Sequence, residues 1–441
     1  MQALFRIAGI VVVFIIISIA WLVLGGIMAE RSDRQKYSLR GEVNELWGRP
    51  QQQRAPDLKF QWKTFEEVVH TETKDGQEVK VTSTLTHNHD KPAAPNSTHI
   101  AADLKLDQRL KGVMWYSLYD IDFEGAWTYE HESDEAGELL VGFQFPDANG
   151  LYDNFTFVVD GHDLARELHP ENGRVQATVP VQPGQKVTLA IGYGSRGMDN
   201  WEYRPTEGVS NLENFRVDMT TDFTDIDFPA HGMSPSSRTQ KDGGYALQWD
   251  FSQVVTGNSI GMVMPTRIQP GELASTMSLS APVSLFFFFL VLFVFGTMRN
   301  IDIHPVNYLL MGGAFFSFHL LFSYSVDHLH VVPAFVIASV ISIVLVVSYI
   351  RLVVSSRFAF LETGIAQLIY LVGFSLAHFW DGFTGLTVTV LSVLTLGVVM
   401  QLTGRIKWSE VFRKSAVAPG TMPSGEARTA QPSMDAAVQA G

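Results

Sequence analysis

Three histidines and two aspartates form the most suggestive polar set in the sequence, because they fall in two short connections between apolar segments. Imidazole and carboxylate groups bind metals, and they relay protons near membranes. Both connections are expected at the same depth on the outer side of the membrane, so the set could form one site. We favour the interpretation that they are polar loop residues and assign no metal ligand. The set is Asp327, His328, His330, His378 and Asp381.

Two further groups have spacing that is compatible with metal binding. His87 and His89 would share one face of a strand, but they fall in a polar stretch that is typical of a solvated loop. Asp222, Asp225 and Asp227 could bind calcium, yet their run lacks the glycine and the final glutamate of an EF-hand loop. A charge pattern at a strand edge is the better interpretation.

The sequence lacks the motifs of the common enzyme classes. It contains no P-loop, no strand-coupled GxGxxG, no GxSxG and no HExxH. It also has no cysteine, which excludes disulfides, zinc–thiolate sites and thiol nucleophiles. We therefore predict no catalytic residue and no cofactor, and we expect that the protein is not an enzyme.

The acidic charge is concentrated in one segment. Of the 45 acidic and 32 basic residues, 38 and 23 lie within residues 30–280, which gives that segment a net charge of −15. Such a segment repels phosphate backbones, so nucleic acid is excluded as a partner.

Six apolar segments are long enough to cross a bilayer. The first, residues 7–28, would span about 33 Å as a helix, and it is longer than the apolar core of a cleaved signal peptide. It therefore predicts an uncleaved anchor. The other candidates are residues 282–297, 306–324, 332–350, 358–377 and 386–403.

The basic residues orient these segments. Connections 325–331 and 378–385 contain no lysine or arginine. Arg299, Arg351 and Arg357 lie in the alternate connections, and Arg405, Lys407, Arg413 and Lys414 closely follow the last segment. The positive-inside rule then places both termini in the cytoplasm and the acidic segment outside it. The four basic residues after the first segment oppose this orientation, but long domains translocate largely regardless of charge; they are Arg31, Arg34, Lys36 and Arg40.

The acidic segment has the pattern of a β-rich domain. Short runs of β-branched and aromatic residues, such as 139–145 and 187–193, alternate with turn signals. This pattern predicts an antiparallel sandwich, in one or two subdomains. Leu39, Val43 and Leu46 recur at helical spacing, which indicates a short helix that continues from the anchor or packs beside it. Residues 70–98 are expected to form a hairpin and an irregular loop.

The predicted fold class is a membrane protein with an N-terminal anchor helix, a large extracytoplasmic antiparallel β-rich, sandwich-like domain and a C-terminal bundle of about five transmembrane helices. Two ionisable residues fall inside predicted spans: we expect His319 to hydrogen-bond a neighbouring helix and Glu362 to snorkel towards the cytoplasm. The predicted parts are an anchor (1–29), a juxtamembrane helix (30–54), the periplasmic β-rich domain (55–280), the bundle (281–405) and a disordered polar tail (406–441).

Several motifs, in the same order, resemble those of the CreD family of bacterial inner-membrane proteins. They are ELWG at 45–48, RLKGVMWY at 109–116, GYALQW at 244–249 and, in the bundle, HPVNYLLMG at 304–312 followed by His319. Where the family has Gly-Pro after the Trp-Gly helix, this chain has Ala55 and Pro56. The resemblance implies a role in cell-envelope integrity, tolerance to colicins and control by an envelope-responsive two-component system. It carries no catalytic residues.

We therefore expect a non-enzymatic protein of the bacterial inner membrane, in contact with the lipid bilayer. Its periplasmic domain would bind an envelope protein or a glycan. The alternative is a membrane-embedded metal-dependent enzyme or a transporter that uses the five outer residues named first. The sequence identifies neither the ligand nor the oligomeric state.

Overall fold

The computed structural model describes residues 2–74, 77–380 and 382–404. The chain divides into two compact units: a helical unit, Met1–Ile27 with Ala274–Gly441, and a β unit, Met28–Leu273. The predicted tail at 406–441 lies outside the described residues.

Six helices in the described part of the chain are long and apolar enough to cross a membrane, which confirms one N-terminal and five C-terminal apolar helices. Two of them are longer than their apolar runs. The first helix continues into the predicted juxtamembrane segment as far as Trp47. The second begins at Pro270, where a proline in the first turn and Glu272 favour a helix start. The helices are α1 (Gln2–Trp47), α2 (Pro270–Met298), α3 (Pro305–Ser325), α4 (Val331–Val353), α5 (Phe358–Phe379) and α6 (Thr384–Thr403).

Gly48 ends the first helix. Its φ of +106° lies in a region that L side chains rarely adopt. A Cβ at this position would also lie 2.5 Å from the Arg196 carbonyl oxygen. The chain then turns at once into a strand, so residues 51–54 are extended rather than helical.

The β unit contains three sheets. The strands are β1 (Gln51–Arg54), β2 (Asp57–Lys74), β3 (Gln77–Ala93), β4 (Ser97–Lys111), β5 (Met114–Glu130), β6 (Gly137–Gln144), β7 (Tyr152–Val159), β8 (His162–Asp163), β9 (Arg174–Val181), β10 (Lys186–Met198), β11 (Asn200–Arg204), β12 (Ser210–Thr221), β13 (Ser237–Lys241), β14 (Gly244–Thr256) and β15 (Ile260–Val263). The large sheet has strand order β13-β14-β12-β4-β5-β10-β7-β8, the medium sheet β3-β2-β6-β9 and the small sheet β1-β11-β15. Most neighbours are antiparallel, and β4–β12 and β1–β11 are parallel.

One hydrophobic core joins the three sheets. Phe123 of the large sheet, Phe143 of the medium sheet and Trp201 of the small sheet are all buried in the same cluster. Buried and exposed residues alternate strictly along β9, as expected when one face of a strand packs on a core. The prediction of an antiparallel β-rich domain is thus confirmed, and its sheets share a single core.

The expectation of an irregular loop within 70–98 is wrong. β2 and β3 pair continuously from Leu58 with Ala93 to Lys74 with Gln77. The polar composition of this stretch suggested a loop, but its threonines are β-branched and favour strands, and residues 84–90 of β3 are exposed. Only Asp57–Gln61 of β2 also pairs with β6, so the rest of the hairpin is two-stranded.

Candidate functional site

The structure does not group the described members of the outer set into one site. Asp327 and His328 lie in the turn after α3, and His330 precedes α4. His378 is buried in the last turn of α5, where its Nε2 lies 2.9 Å from the Ser280 hydroxyl of α2. Asp381 lies outside the described residues. In the ranges that the structure describes, no three His, Asp or Glu side chains are grouped to hold a metal.

The two other predicted groups have local partners. His87 and His89 lie on strand β3 rather than in a loop, 3.1 Å from Glu66 and 2.8 Å from Thr64 on β2. Their rings are thus used in cross-strand pairs.

Two of the three aspartates accept hydrogen bonds from nearby backbone amides. Asp222 accepts a hydrogen bond from the Leu106 amide at 2.8 Å, and Asp227 accepts one from the Phe228 amide at 2.9 Å. Such bonds fix turns at the ends of strands, which agrees with the strand-edge interpretation.

The structure gives contacts for both ionisable residues of the predicted spans. The Glu362 side chain is 9% exposed and forms an ion pair with Arg299, which follows α2; that it snorkels towards the cytoplasm stays a prediction. The His319 ring packs against Trp21 at 5.4 Å between centroids. Among the described residues, no hydrogen-bond partner meets His319 Nδ1, and the interhelical hydrogen bond of His319 stays a prediction.

A neutral polar contact joins three membrane helices. Gln367 of α5 donates to the Ser342 hydroxyl of α4 at 3.0 Å, and Ser342 donates to the Ala314 carbonyl of α3 at 2.7 Å. Both side chains are buried. Gln367 also lies between two π-helical turns, Phe358–Thr363 and Leu368–Gly373. Hydrogen bonds of this kind hold helices together in lipid.

The β unit has a polar groove on the solvent-facing side of the large sheet. Its floor consists of residues too small to fill the space between their neighbours. The strand register places Ala190 opposite Ala126 and Gly192 opposite Glu124. The groove has a volume of about 520 Å³, within the usual range for ligand sites. Its polar lining residues are His99, Asp122, Glu124, Asn154 and Thr156.

A second cleft continues the groove. It has a volume of about 490 Å³ and shares Asp122 and Gly194 with the first. Its other walls are the end of α1, β1 and the loop at 147–151. We call the two cavities together the joined groove.

The charges in the joined groove are only partly paired. Arg196 contacts Asp120 at 2.7 Å, and this carboxylate raises the pKa of the arginine. Arg49 lies 3.9 Å from Asp147. In the described part of the chain, no donor contacts the Asp153 carboxylate. No residue type or motif in the sequence predicted this groove. The small residues that alternate along β10 are the pattern from which it could have been predicted.

These features define a class of protein: a multi-span membrane protein with one large β-sandwich inserted between its first and second apolar helices. A family model described as "Inner membrane protein CreD" matches residues 2–284 and 280–409, nearly the whole chain. The protein therefore belongs to the CreD family of inner-membrane proteins.

Other comparisons add little. No curated protein matches the chain. One solved structure, a candidate nutrient binding protein from Legionella pneumophila, is similar over 44% of this chain and 74% of its own, at 9% identity. Its TM-score of 0.29 is too low to support any argument about fold or function.

The Ser342 contact yields a stability prediction. Ser342→Ala removes the bridge between α3, α4 and α5, and we expect a loss of about 1 kcal/mol in the unfolding free energy in detergent. Ser348→Ala is the matched control, because Ser348 is on the same helix, is exposed and bonds only within its own helix. Thermal unfolding followed by circular dichroism measures both. Equal midpoints for the two variants would contradict the bridging role.

Proposed function

We propose that this CreD-family protein is a non-enzymatic component of cell-envelope integrity, whose β unit faces the periplasm and binds an envelope partner. The observation that carries the proposal is the joined groove. It is a preformed, solvent-facing and largely acidic surface, and it is separate from any arrangement of nucleophile and base that we can identify among the described residues.

The charge distribution supports a periplasmic β unit. Arg299, Arg351 and Arg357 lie in connections on one side of the predicted topology, and the connections on the other side contain no lysine or arginine. This arrangement keeps both termini in the cytoplasm. It also agrees with the assignment of the family to the inner membrane.

The sandwich supports binding rather than catalysis. Its core is filled by large side chains such as Trp127, Trp201 and Trp249, so the interior offers no cavity for a substrate at these positions. Small residues appear instead on the solvent-facing side of the large sheet. A surface of this shape accepts the backbone or side chains of another molecule.

Cysteine labelling tests the orientation. The chain has no cysteine, so Ala136→Cys in the exposed turn before β6 and Ser356→Cys in the connection after α4 each introduce a single thiol. We expect a membrane-impermeant maleimide to label Ala136→Cys in spheroplasts and Ser356→Cys only after lysis. Labelling of Ser356→Cys in intact spheroplasts would refute the proposed topology.

Filling the groove tests its role. Ala126 is exposed on the groove floor, so Ala126→Trp fills the cavity without entering the core. We expect this variant to fail to restore detergent resistance in a strain that lacks the protein, although it accumulates to normal levels.

The control is Ser252→Trp, an exposed position on β14 of the same sheet outside the groove. It should restore resistance fully. If Ala126→Trp restores resistance as well, the groove is not the functional surface.

A further inference from the structure

The β2–β3 hairpin continues beyond the rest of the medium sheet as a two-stranded ribbon. β2 pairs with β6 only over Asp57–Gln61, whereas its pairing with β3 continues to Lys74 opposite Gln77. We call residues 62–74 and 77–89 the arm. At about 3.3 Å per residue, each strand of the arm is about 40 Å long. A hairpin of two strands is only marginally stable in water, so a further strand would stabilise the arm.

We propose that this further strand comes from a second copy of the chain, by pairing of the two β3 strands. The strands run antiparallel about a two-fold axis at Leu85. The two arms then form one four-stranded sheet in the order β2-β3-β3-β2, and the same surface of each copy makes the contact.

The outer edge of β3 lacks the usual protection against pairing. No described strand pairs with this edge. Residues 82–89, Thr-Ser-Thr-Leu-Thr-His-Asn-His, contain no lysine, arginine, aspartate, glutamate or proline, and their ladder with β2 has no bulge. Charges, prolines and bulges are what normally keep an edge strand from pairing with another chain. By contrast β13, at the edge of the large sheet, is short and carries Arg238 and Lys241.

The residues along this edge are complementary to themselves. In a pairing with two-fold symmetry, the residue on the axis lies opposite itself, and its neighbours on either side lie opposite each other. With Leu85 on the axis, the two Leu85 residues meet, and Thr84 lies opposite Thr86 of the second copy. Further out, Lys80 of the sequence falls opposite Asp90 on both sides of the axis. Threonine pairs and opposite charges both stabilise antiparallel neighbours.

Charge distinguishes this register from the two nearest symmetric registers. With Thr84 on the axis, Glu78 falls opposite Asp90, and like charges directly opposite each other are destabilising. With Thr86 on the axis, Lys80 has no acidic residue opposite it. Of the three, only the register centred on Leu85 pairs opposite charges.

The groups that meet in this pairing are accessible in the single chain. Leu85 is 49% exposed, and a second Leu85 beside it removes apolar area of both from water. The Asp90 side chain is 54% exposed, although it contacts Lys59 at 2.6 Å. Each acidic segment has a net charge of −15 over residues 30–280, and two such segments repel each other. The edge at 82–89 lets them approach without bringing carboxylates together.

A charge exchange at the axis tests the pairing. We expect the full-length protein in detergent micelles to be dimeric by size-exclusion chromatography with light scattering. Leu85→Lys and Leu85→Glu each place two like charges opposite each other, so each variant alone should have a dissociation constant at least about tenfold higher. An equal mixture of the two variants should restore the dimer, because opposite charges then meet. Circular dichroism checks that both variants are folded.

The edge strand β13 supplies the control. Thr239 is exposed on that strand, so Thr239→Lys adds the same charge to another edge and should leave the protein dimeric. A second measurement uses the absence of cysteine from the chain. Oxidation of membranes with copper phenanthroline should link two Leu85→Cys chains by a disulfide, whereas Thr239→Cys chains should stay separate.

Three results would overturn the pairing. The first is a wild-type protein that is monomeric at all concentrations. The second is a Leu85→Lys variant as dimeric as the wild-type protein, which places any dimer contact elsewhere. The third is a failure of the two charged variants to associate when mixed, which shows that the strands do not meet at Leu85.

Discussion

The structure depends on the high cost of placing charge in hydrocarbon, which is about 2.5–3.5 kcal/mol for a charged residue at the centre of a membrane helix on insertion scales. In the helical unit, the ionisable side chains are therefore few and have local solutions. Glu362 pairs with Arg299, Arg6 pairs with Asp302, and His319 is enclosed by aromatic rings. The polar bridge from Gln367 through Ser342 uses neutral groups only. Acidic residues are consequently concentrated in the β unit, where water and neighbouring cations stabilise them.

Within the β unit, the same separation recurs across a single sheet. The side of the large sheet that faces the core presents residues such as Phe123, Leu189 and Ile191, whereas the opposite side presents carboxylates and small residues. Because this face lacks bulky side chains, it forms few packing contacts within the protein and leaves space for another molecule. We propose that a partner completes this surface.

Much of the architecture follows from local sequence, and the groove does not. Apolar runs predict the positions of the spans. The start of α2 at Pro270 is not predicted, because residues 270–281 mix polar and apolar residues. The hairpin of β2 and β3 is predicted too short, and part of it is taken for a loop, because residues such as 84–90 are polar and exposed. Asp122, Asp153 and Gly194 are far apart in sequence, and only the pairing of β5, β10 and β7 brings them together. The ion-pair partner of Glu362 could not be predicted from the sequence either, because the pairing depends on how α5 packs.

We propose that the joined groove is where the protein meets its partner in the cell. Site-specific photo-crosslinking measures this directly, with a benzoylphenylalanine incorporated at Ala190 on the groove floor or at Glu213, an exposed residue of β12 outside the groove. Irradiation of living cells is expected to give a discrete protein adduct from position 190 and none from position 213. Adducts of equal yield at both positions, or adducts only at position 213, would contradict it.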